Sequence, residues 1–174
     1  MPDSEAVIIS PENARRERPG MQDYGIHEGE DGMLTWSWVS AEMAKSRNYW
    51  ICTTRPDGNP HVAPVWGIWL DETLYFGSAR TSRKSRNITH NAQTVVHLES
   101  GDDTVIIEGI LLELDDDAIL QRVNEAYKAK YPPYDPTQQD PDPNTAMYFL
   151  KPQKVMAWLE TDFPRTAARW IFED

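Results

Sequence analysis

The amino-acid sequence predicts a mainly β domain with a few inserted helices. Short segments rich in β-branched and aromatic residues recur along the chain, and turn-forming residues separate most of them. Other stretches place apolar residues at helical spacing instead. Five or six short strands joined in this way favour a small antiparallel β-barrel with helical decoration, and the same propensities leave a β-sandwich open.

The predicted elements follow one another in a meander-like order. Residues 1–33 are polar, contain three prolines and show no sustained periodicity, so we expect a flexible or loosely draped arm before a single domain over residues 34–174. The predicted strands are 49–54, 61–70, 73–77, 94–99, 104–113 and 154–160. The predicted helices are 35–47, 82–91 and 115–131. Gly109 inside a strand predicts a bulge or a close backbone approach.

The chain is strongly acidic. It has 17 Lys and Arg residues against 28 Asp and Glu residues, a net charge of −11 and a pI near 4.7. This charge repels nucleic-acid phosphates and anionic lipids, so neither is an expected partner. No stretch suits a signal peptide or a membrane-spanning helix, which predicts a cytoplasmic protein. The single cysteine and the scattered histidines predict neither a disulfide nor a metal site.

A basic segment stands out in this acidic chain. Four of the ten residues from Ser78 to Asn87 are basic, and four others carry hydroxyl groups. The segment lies between a predicted strand and a predicted helix N-terminus, where backbone N–H groups, hydroxyls and cationic side chains together bind phosphates. We therefore predict a phosphate-binding cradle; the alternative is a solvated, positively charged helix face. P-loop and Rossmann glycine patterns do not occur in the sequence.

Residues 59–69 form the second candidate segment. Pro64 has no backbone N–H, so its strand should lie at a sheet edge or contain a bulge. An interrupted ladder leaves neighbouring N–H and C=O groups free to bind a ligand, and the small Ala63 would let a flat ring approach the backbone. The alternative is an ordinary edge strand with an irregularity.

Three ordered motifs carry a family resemblance: DGNPHVAPVWGIWLDETLYFGS, then SRKSRN, then DDTVIIEG. Together they resemble the split-barrel flavin and deazaflavin oxidoreductases, the superfamily that includes pyridoxamine 5′-phosphate oxidase. The chain is similar above all to the branch that uses coenzyme F-420, over about residues 35–172. The resemblance implies a six-stranded antiparallel split β-barrel. It also implies a homodimer with two cofactor sites at the subunit interface.

The resemblance further implies which residues bind the cofactor. The ring system would lie along the strand formed by Val62, Ala63, Pro64, Val65 and Trp66. The phosphate would be surrounded by Ser78, Ser82, Lys84, Arg86 and Asn87. The C-terminal segment with Arg169 and Trp170 would approach the site of the partner subunit. The Arg/His pair that holds the substrate of true pyridoxamine phosphate oxidases is missing, so that activity is not expected.

Coenzyme F-420 and FMN both fit the resemblance. Arg80 and Arg83 favour the longer, acidic deazaflavin, and pairing with the acidic chain would explain them equally well. The expected reaction is hydride transfer between the cofactor and a small conjugated substrate. The cofactor supplies this chemistry, so the sequence names no catalytic residue. Aromatic pocket walls would come from Trp66, Trp69 and Trp170. The alternative of another class is a non-catalytic protein that binds a flavin, a haem or a tetrapyrrole.

Overall fold

An antiparallel sheet of nine strands forms most of the computed structural model, which describes residues 11–173. The strands are β1 (Arg15–Glu17), β2 (Asn48–Thr54), β3 (Pro60–Trp66), β4 (Ile68–Leu70), β5 (Thr73–Ala79), β6 (Gln93–His97), β7 (Asp103–Glu113), β8 (Thr145–Leu159) and β9 (Ala168–Ile171). The α-helices in this range are α1 (Trp36–Lys45), α2 (Arg83–His90), α3 (Asp117–Lys130) and α4 (Phe163–Thr166). The prediction of a mainly β, antiparallel domain with helices is confirmed.

One long strand pairs with three others, and the sheet does not close on itself. Its main path runs β1-β9-β8-β7-β6-β2-β3, and β5 pairs with both β8 and β4. The 15-residue β8 therefore has three partners, β5, β7 and β9. Within residues 11–173, β3 pairs only with β2 and β4 only with β5. As a result β3 is an edge strand with one row of unpaired backbone groups.

The strand count differs from the six predicted, partly because one predicted strand is divided. Gly67 separates β3 from β4. A Cβ at this position would lie 3.0 Å from the carbonyl oxygen of Tyr75, so a residue with a side chain would strain this close approach. The short strands β1 and β9 account for the rest of the difference, since neither was predicted as a strand.

The pairing of β7 with β8 contains the predicted bulge. Its register shifts between Glu108 and Gly109, and a Cβ on Gly109 would overlap the carbonyl oxygen of Lys151. Pro152 lies opposite Gly109, at the point where the ladder is irregular and a missing N–H is tolerated. Strand β8 therefore continues through Pro152 and begins at Thr145, well before the predicted start at residue 154.

Two apolar clusters hold the helices against the sheet. The main core collects inward side chains of the strands, among them Tyr49, Ile51, Leu74, Phe76, Val96, Ile107, Leu111, Leu150 and Trp170. Helix α1 adds Val39 and Met43, which lie four residues apart and so on one helix face. Tyr127 of helix α3 and Tyr131, the residue that follows the helix, are buried in a second cluster with Ile68 of β4. Burial of each large side chain stabilises the fold by roughly 1.5–3 kcal/mol.

Part of the N-terminal segment is built into the sheet. Arg15–Glu17 pairs antiparallel with β9, and Arg169 of β9 forms an ion pair with Glu17. Within the segment expected to form an arm, these three residues complete the backbone edge of β9. Residues 1–10, the first part of the expected arm, lie outside the described residues. None of the helices within residues 11–173 has the length and apolar composition needed to span a membrane.

Candidate functional site

The basic cradle, residues 78–87, connects the end of β5 to helix α2. Ser78 still belongs to β5, and its side chain is only 6% exposed. A tight turn follows, in which the N–H of Ser82 donates to the carbonyl of Ala79 at 2.9 Å. Ser82 then caps the helix, since its Oγ accepts a hydrogen bond from the N–H of Ser85 at 3.2 Å. The predicted strand-to-helix placement of this segment is confirmed.

Three serine hydroxyls meet at the start of α2. Ser78 Oγ lies 2.9 Å from Ser82 Oγ, and Ser82 Oγ donates to Ser85 Oγ at 3.0 Å. A hydroxyl both donates and accepts, so this group can redirect its protons toward an anion beside the N–H groups of the first helical turn. The structure thus brings the predicted Ser78 and Ser82 together and adds Ser85, which is buried.

The cations of α2 lack acidic partners. Arg83, Lys84 and Arg86 form no ion pair within residues 11–173, whereas at least eight other Lys and Arg residues do. Burial lowers the pKa of the Lys84 amino group, because the charged form loses hydration there. In a chain of net charge −11, these unpaired cations create a local positive field that suits an anionic ligand.

Arg80 differs from the other basic residues of the cradle. Its guanidinium pairs with Glu113, which raises the pKa of Arg80 and lowers the pKa of Glu113. Its Nε also donates to the carbonyl of Pro143 at 3.1 Å. Of the two explanations for Arg80, pairing with the acidic chain is the one observed. Arg83 alone remains of the pair that favoured a longer ligand.

Asn87 faces the sheet from the second turn of α2. Its side chain is fully buried, and its Nδ2 donates to Thr53 Oγ1 of β2 at 2.9 Å. Its Oδ1 is buried without a hydrogen-bond partner in the described part of the chain. An unpaired buried acceptor costs stability and calls for a donor. This atom fits a hydroxyl or N–H group of a ligand, whereas a phosphate oxygen would be another acceptor.

The edge strand β3 lies next to this cradle, because α2 packs against both β2 and β3. The expectation that Pro64 belongs to an edge strand is confirmed. Val62, Pro64 and Trp66 project on the exposed side of the strand, whereas Val65 points into the main core and Ala63 is half-buried. The two predicted halves of a site, a cationic helix start and a free backbone edge, are therefore neighbours.

The C-terminal residues lie elsewhere in the chain. Trp170 is 2% exposed in the main core and packs edge-to-face on Trp36 at 5.7 Å, while Arg169 is engaged by Glu17. Their expected role concerns a partner subunit and stays a prediction. Trp69 is half-buried and donates from its Nε1 to Ser40 at 2.9 Å. Of the three tryptophans expected to wall a pocket, Trp66 is the exposed one, at 44%.

Side chains at the end of α3 form hydrogen bonds with the backbone where β3 ends, and the sequence did not predict these contacts. Tyr127 donates to the carbonyl of Trp66 at 3.0 Å, and Lys130 donates to the carbonyl of Gly67 at 3.0 Å. The hydroxyl of Tyr131 accepts from the N–H of Gly67 at 3.0 Å and lies 2.9 Å from its carbonyl oxygen. We call Tyr127, Lys130 and Tyr131 the α3 clamp, since together they satisfy the backbone of the β3–β4 junction.

Aromatic rings surround the α3 clamp on its solvent side. Trp66 stacks on Tyr131 with ring centroids 4.6 Å apart, and Tyr134 meets Trp66 edge-on at 6.1 Å. The guanidinium of Arg47 lies 5.5 Å from the Trp66 ring and 5.3 Å from the Tyr131 ring, within reach of a cation–π interaction. Trp66 and Tyr134 are both exposed, so this platform presents aromatic surface and a positive charge at the end of β3.

Burial shifts the titration of the clamp. The pKa of Lys130 is lowered to about 8 by burial and by the nearby positive charge of Arg47. The ammonium lies 3.0 Å from the hydroxyl of Tyr49, whose pKa burial raises. The signal for this cluster in the sequence is the spacing of Tyr127, Tyr131 and Tyr134, which places the first two on one face of a helix. Within residues 11–173, no three His, Cys, Asp or Glu side chains are arranged to hold a metal ion.

The fold and the site define a class of protein: an open antiparallel β-sheet with helices, in which a cationic helix start lies beside a free strand edge. The family model for pyridoxamine 5′-phosphate oxidase matches residues 39–159, which is more than half of the chain. The chain belongs to this family. No curated protein sequence matches the chain significantly.

Solved structures share the fold. A conserved hypothetical protein of Mycobacterium tuberculosis superposes with a TM-score of 0.65 at 19% identity, over 77% of this chain and 90% of that one. An FMN binding protein of Nostoc punctiforme, related to pyridoxamine 5′-phosphate oxidase, gives a TM-score of 0.54 at 16% identity, over 78% and 91%. A protein named F420 reductase gives 0.51 at 22% identity, over 66% and 93%. At such identities these likenesses show the fold alone.

Proposed function

We propose that this protein is an oxidoreductase that transfers a hydride between bound coenzyme F-420, a deazaflavin, and a small conjugated organic substrate. One observation carries the proposal: Arg83, Lys84 and Arg86 lack acidic partners among the described residues of an otherwise acidic chain, and they adjoin the free edge of β3. Membership of the pyridoxamine 5′-phosphate oxidase family supports it. The F420 reductase and the FMN binding protein that share the fold support a cofactor of this type.

The residues of the cradle fit the phosphate of such a cofactor. Ser78 and Ser82 would donate hydroxyl hydrogen bonds, and Lys84 and Arg86 would neutralise its charge. The unpartnered Oδ1 of Asn87 would accept a hydrogen bond from a hydroxyl of the cofactor chain. The free backbone groups of residues 62–66 would hold the edge of the ring system. A flavin or deazaflavin, when bound, supplies the hydride chemistry, and the protein orients it and excludes water.

The acceptor would bind where β3 ends. Trp66 and Tyr134 offer exposed aromatic faces, and Arg47 adds a cation above the rings. Such a platform suits a flat conjugated molecule with an acidic group, because stacking and charge pairing act at the same place. The hydrogen bonds of the α3 clamp keep the platform in position before any ligand arrives.

FMN is the second candidate cofactor, and a specific observation favours it. The three serines converge on one helix start, which suits a single terminal phosphate. Arg80, already neutralised by Glu113, adds nothing for a longer ligand. In favour of the deazaflavin, Arg83 is exposed and unpaired in the described chain, and it would face the acidic tail that FMN lacks.

A homodimer is part of the proposal. Val62, Pro64 and Trp66 form an exposed, mostly apolar row on the outer side of β3, and Val62 is 51% exposed. Neighbouring apolar side chains that remain accessible to water are typical of protein interfaces. A second subunit laid on this row would enclose the free edge and complete the site. A strictly monomeric protein in dilute solution, measured by light scattering, would contradict this assembly.

Binding of the two cofactors side by side tests the proposal. Coenzyme F-420 and FMN are titrated into the protein and into Lys84→Ala and Arg86→Ala variants. Loss of one charge-assisted hydrogen bond should weaken binding roughly ten- to a hundred-fold. Lys128→Ala is the matched control, because Lys128 is exposed on α3 and paired with Asp135. If both cradle variants bind like the unmodified protein, the cradle assignment is wrong. Binding without turnover of any conjugated acceptor would favour a carrier or storage protein.

A further inference from the structure

A tight hairpin beside α2 carries two further basic residues. Arg55 follows β2 and His61 is the second residue of β3. The N–H of Arg55 donates to the carbonyl of Asn59 at 2.9 Å, and the N–H of Gly58 donates to the carbonyl of Arg55 at 2.9 Å. Gly58 has a positive φ of 83°, which a glycine adopts without strain. These two hydrogen bonds and the positive φ define a tight turn between β2 and β3.

Arg55 carries a cationic group without an anion. It forms no ion pair among the described residues, and its Nε is buried with no hydrogen-bond partner there. Asp57 lies two residues away: the N–H of Asn59 donates to its carboxylate at 3.1 Å and lowers its pKa, and the charge of Arg55 adds to this lowering. A buried guanidinium nitrogen of this kind is costly unless something else supplies an acceptor.

His61 stands among the same cations. Burial lowers its pKa, and the charges of Arg55, Lys84 and Arg83 lower it further, with no carboxylate acting in the opposite direction. These charges come from the hairpin and from α2, the two elements that face the imidazole. Helix α2 packs against both strands of the hairpin, so the four basic side chains belong to adjoining elements. Arg83 and Lys84 belong to the cradle, and Arg55 and His61 do not.

A short polar chain connects His61 to the buried face of α2. His61 and Thr53 are cross-strand neighbours, and His61 Nδ1 lies 3.5 Å from Thr53 Oγ1. Thr53 Oγ1 in turn accepts from Asn87 Nδ2 at 2.9 Å. Asn87 is fully buried and its Oδ1 has no partner in the described chain. These contacts connect the hairpin, which also carries Arg55, to the helix that carries Arg83 and Lys84.

We propose that Arg55 and His61 form a second wall of the basic cradle, and that His61 makes phosphate binding at this wall dependent on pH. The ligand class is a phosphate or phosphodiester group; that it belongs to a coenzyme rests on the proposed function. When His61 is protonated, the wall offers two cations; when it is neutral, it offers one. An anion stabilises the protonated form, so binding and protonation promote each other.

The test uses sulfate as the probe, because sulfate keeps its double charge throughout the pH range in which histidine titrates. The imidazole signals of His61 are followed by NMR between pH 5 and 8, with and without sulfate. We expect saturating sulfate to raise the pKa of His61 by about one unit, which by linkage corresponds to roughly tenfold tighter sulfate binding at pH 5 than at pH 8. His90 at the other end of α2 should show no such change.

Variants make the assignment specific. His61→Gln should remove the pH dependence of sulfate binding, and Arg55→Gln should weaken binding about tenfold at every pH. His90→Gln is the matched control and should retain the wild-type profile. The proposal would be overturned if sulfate binding to His61→Gln kept the wild-type pH dependence, or if sulfate left the pKa of His61 unchanged. Circular dichroism of each variant separates loss of binding from loss of fold.

Parallel titrations keep this inference distinct from the proposed function. If sulfate shows the His61-dependent profile while FMN and coenzyme F-420 do not bind, the wall stands and the proposed function is wrong. If either cofactor binds with an affinity that His61→Gln and Arg55→Gln leave unchanged at every pH, the wall is wrong and the proposed function stands.

Discussion

The polar groups at the two ends of β3 differ in whether they have partners within the described chain. At the end near α2, Lys84 and Arg86 have no acidic partners in the described chain and Asn87 Oδ1 has no donor. At the other end, the α3 clamp satisfies both the N–H and the carbonyl of Gly67. Both ends contain buried polar atoms and cations with a lowered pKa. The difference lies in whether the protein itself supplies the partner.

This contrast distinguishes polar groups that stabilise the folded chain from polar groups that are available to bind a ligand. A satisfied buried network lowers the free energy of the folded chain, and removing one member leaves its partner unpaired. An unsatisfied cationic group costs stability in the free protein and is compensated only when an anion binds. We therefore expect substitutions in the α3 clamp to change stability, and substitutions in the cradle to change binding.

The largest effect on stability is expected for Tyr131→Phe. The variant keeps the ring that stacks on Trp66 but removes the hydroxyl that accepts from the N–H of Gly67. A buried N–H left without a partner costs about 1–3 kcal/mol, so we expect the free energy of unfolding to fall by about 2 kcal/mol. Denaturant unfolding measures this change. Tyr134→Phe is the control, since the exposed Tyr134 acts through its ring; equal losses in both variants would contradict the hydrogen-bond argument.

The placement of the basic segment before a helix was predictable from the sequence, and the contacts of the α3 clamp were not, for a physical reason. Residues 78–87 are contiguous, so their charge anomaly and their position before a helix are visible locally. The contacts of Tyr131 join it to Gly67 and to the carbonyl of Arg47, 64 and 84 residues away. Spacing on α3 identifies a buried helix face but not the backbone groups that this face meets.

The fold shows the same limit. Pro64 and Gly109 predicted an edge strand and a bulge correctly, because each restricts its own backbone. Gly67 as a strand break and the early start of β8 depend on neighbours that are distant in sequence. The short pairing of β1 with β9 joins the two ends of the described chain, and neither segment carries a strong strand pattern by itself.

The next largest effect on the free energy of unfolding comes from Lys130, and this effect depends on pH. Its pKa of about 8 in the folded protein is below the ordinary 10.5, so between these values the folded chain binds fewer protons than the unfolded chain. The free energy of unfolding should therefore rise as the pH increases from 8, by on the order of 1 kcal/mol after allowance for solvent screening. Above pH 10 the raised pKa values of Tyr49 and Tyr127 act in the opposite direction.

Urea unfolding at pH 7.5 and pH 9.5 measures this rise. Lys130→Met should abolish it, because no amino group then loses its proton on folding. Lys128→Met should retain it, since the pKa of Lys128 is raised by its bond to Asp135. A rise of the same size in Lys130→Met would assign the effect to another group.

The smallest effect on stability is expected for Lys84→Met. This variant tests the contrast between the cradle and the α3 clamp most directly. Burial lowers the pKa of Lys84 and no carboxylate compensates, so the charge opposes folding at pH 7. The variant should be as stable as the unmodified protein or more stable by up to about 0.5 kcal/mol, and the gain should vanish above pH 10.5, where the amino group is neutral in both states. A loss of 2 kcal/mol would mean that Lys84 holds the fold, as the clamp does. Unchanged stability together with weakened cofactor binding would place the two ends of β3 in different roles: Lys84 would find its partner in a ligand, whereas the α3 clamp finds its partners within the chain.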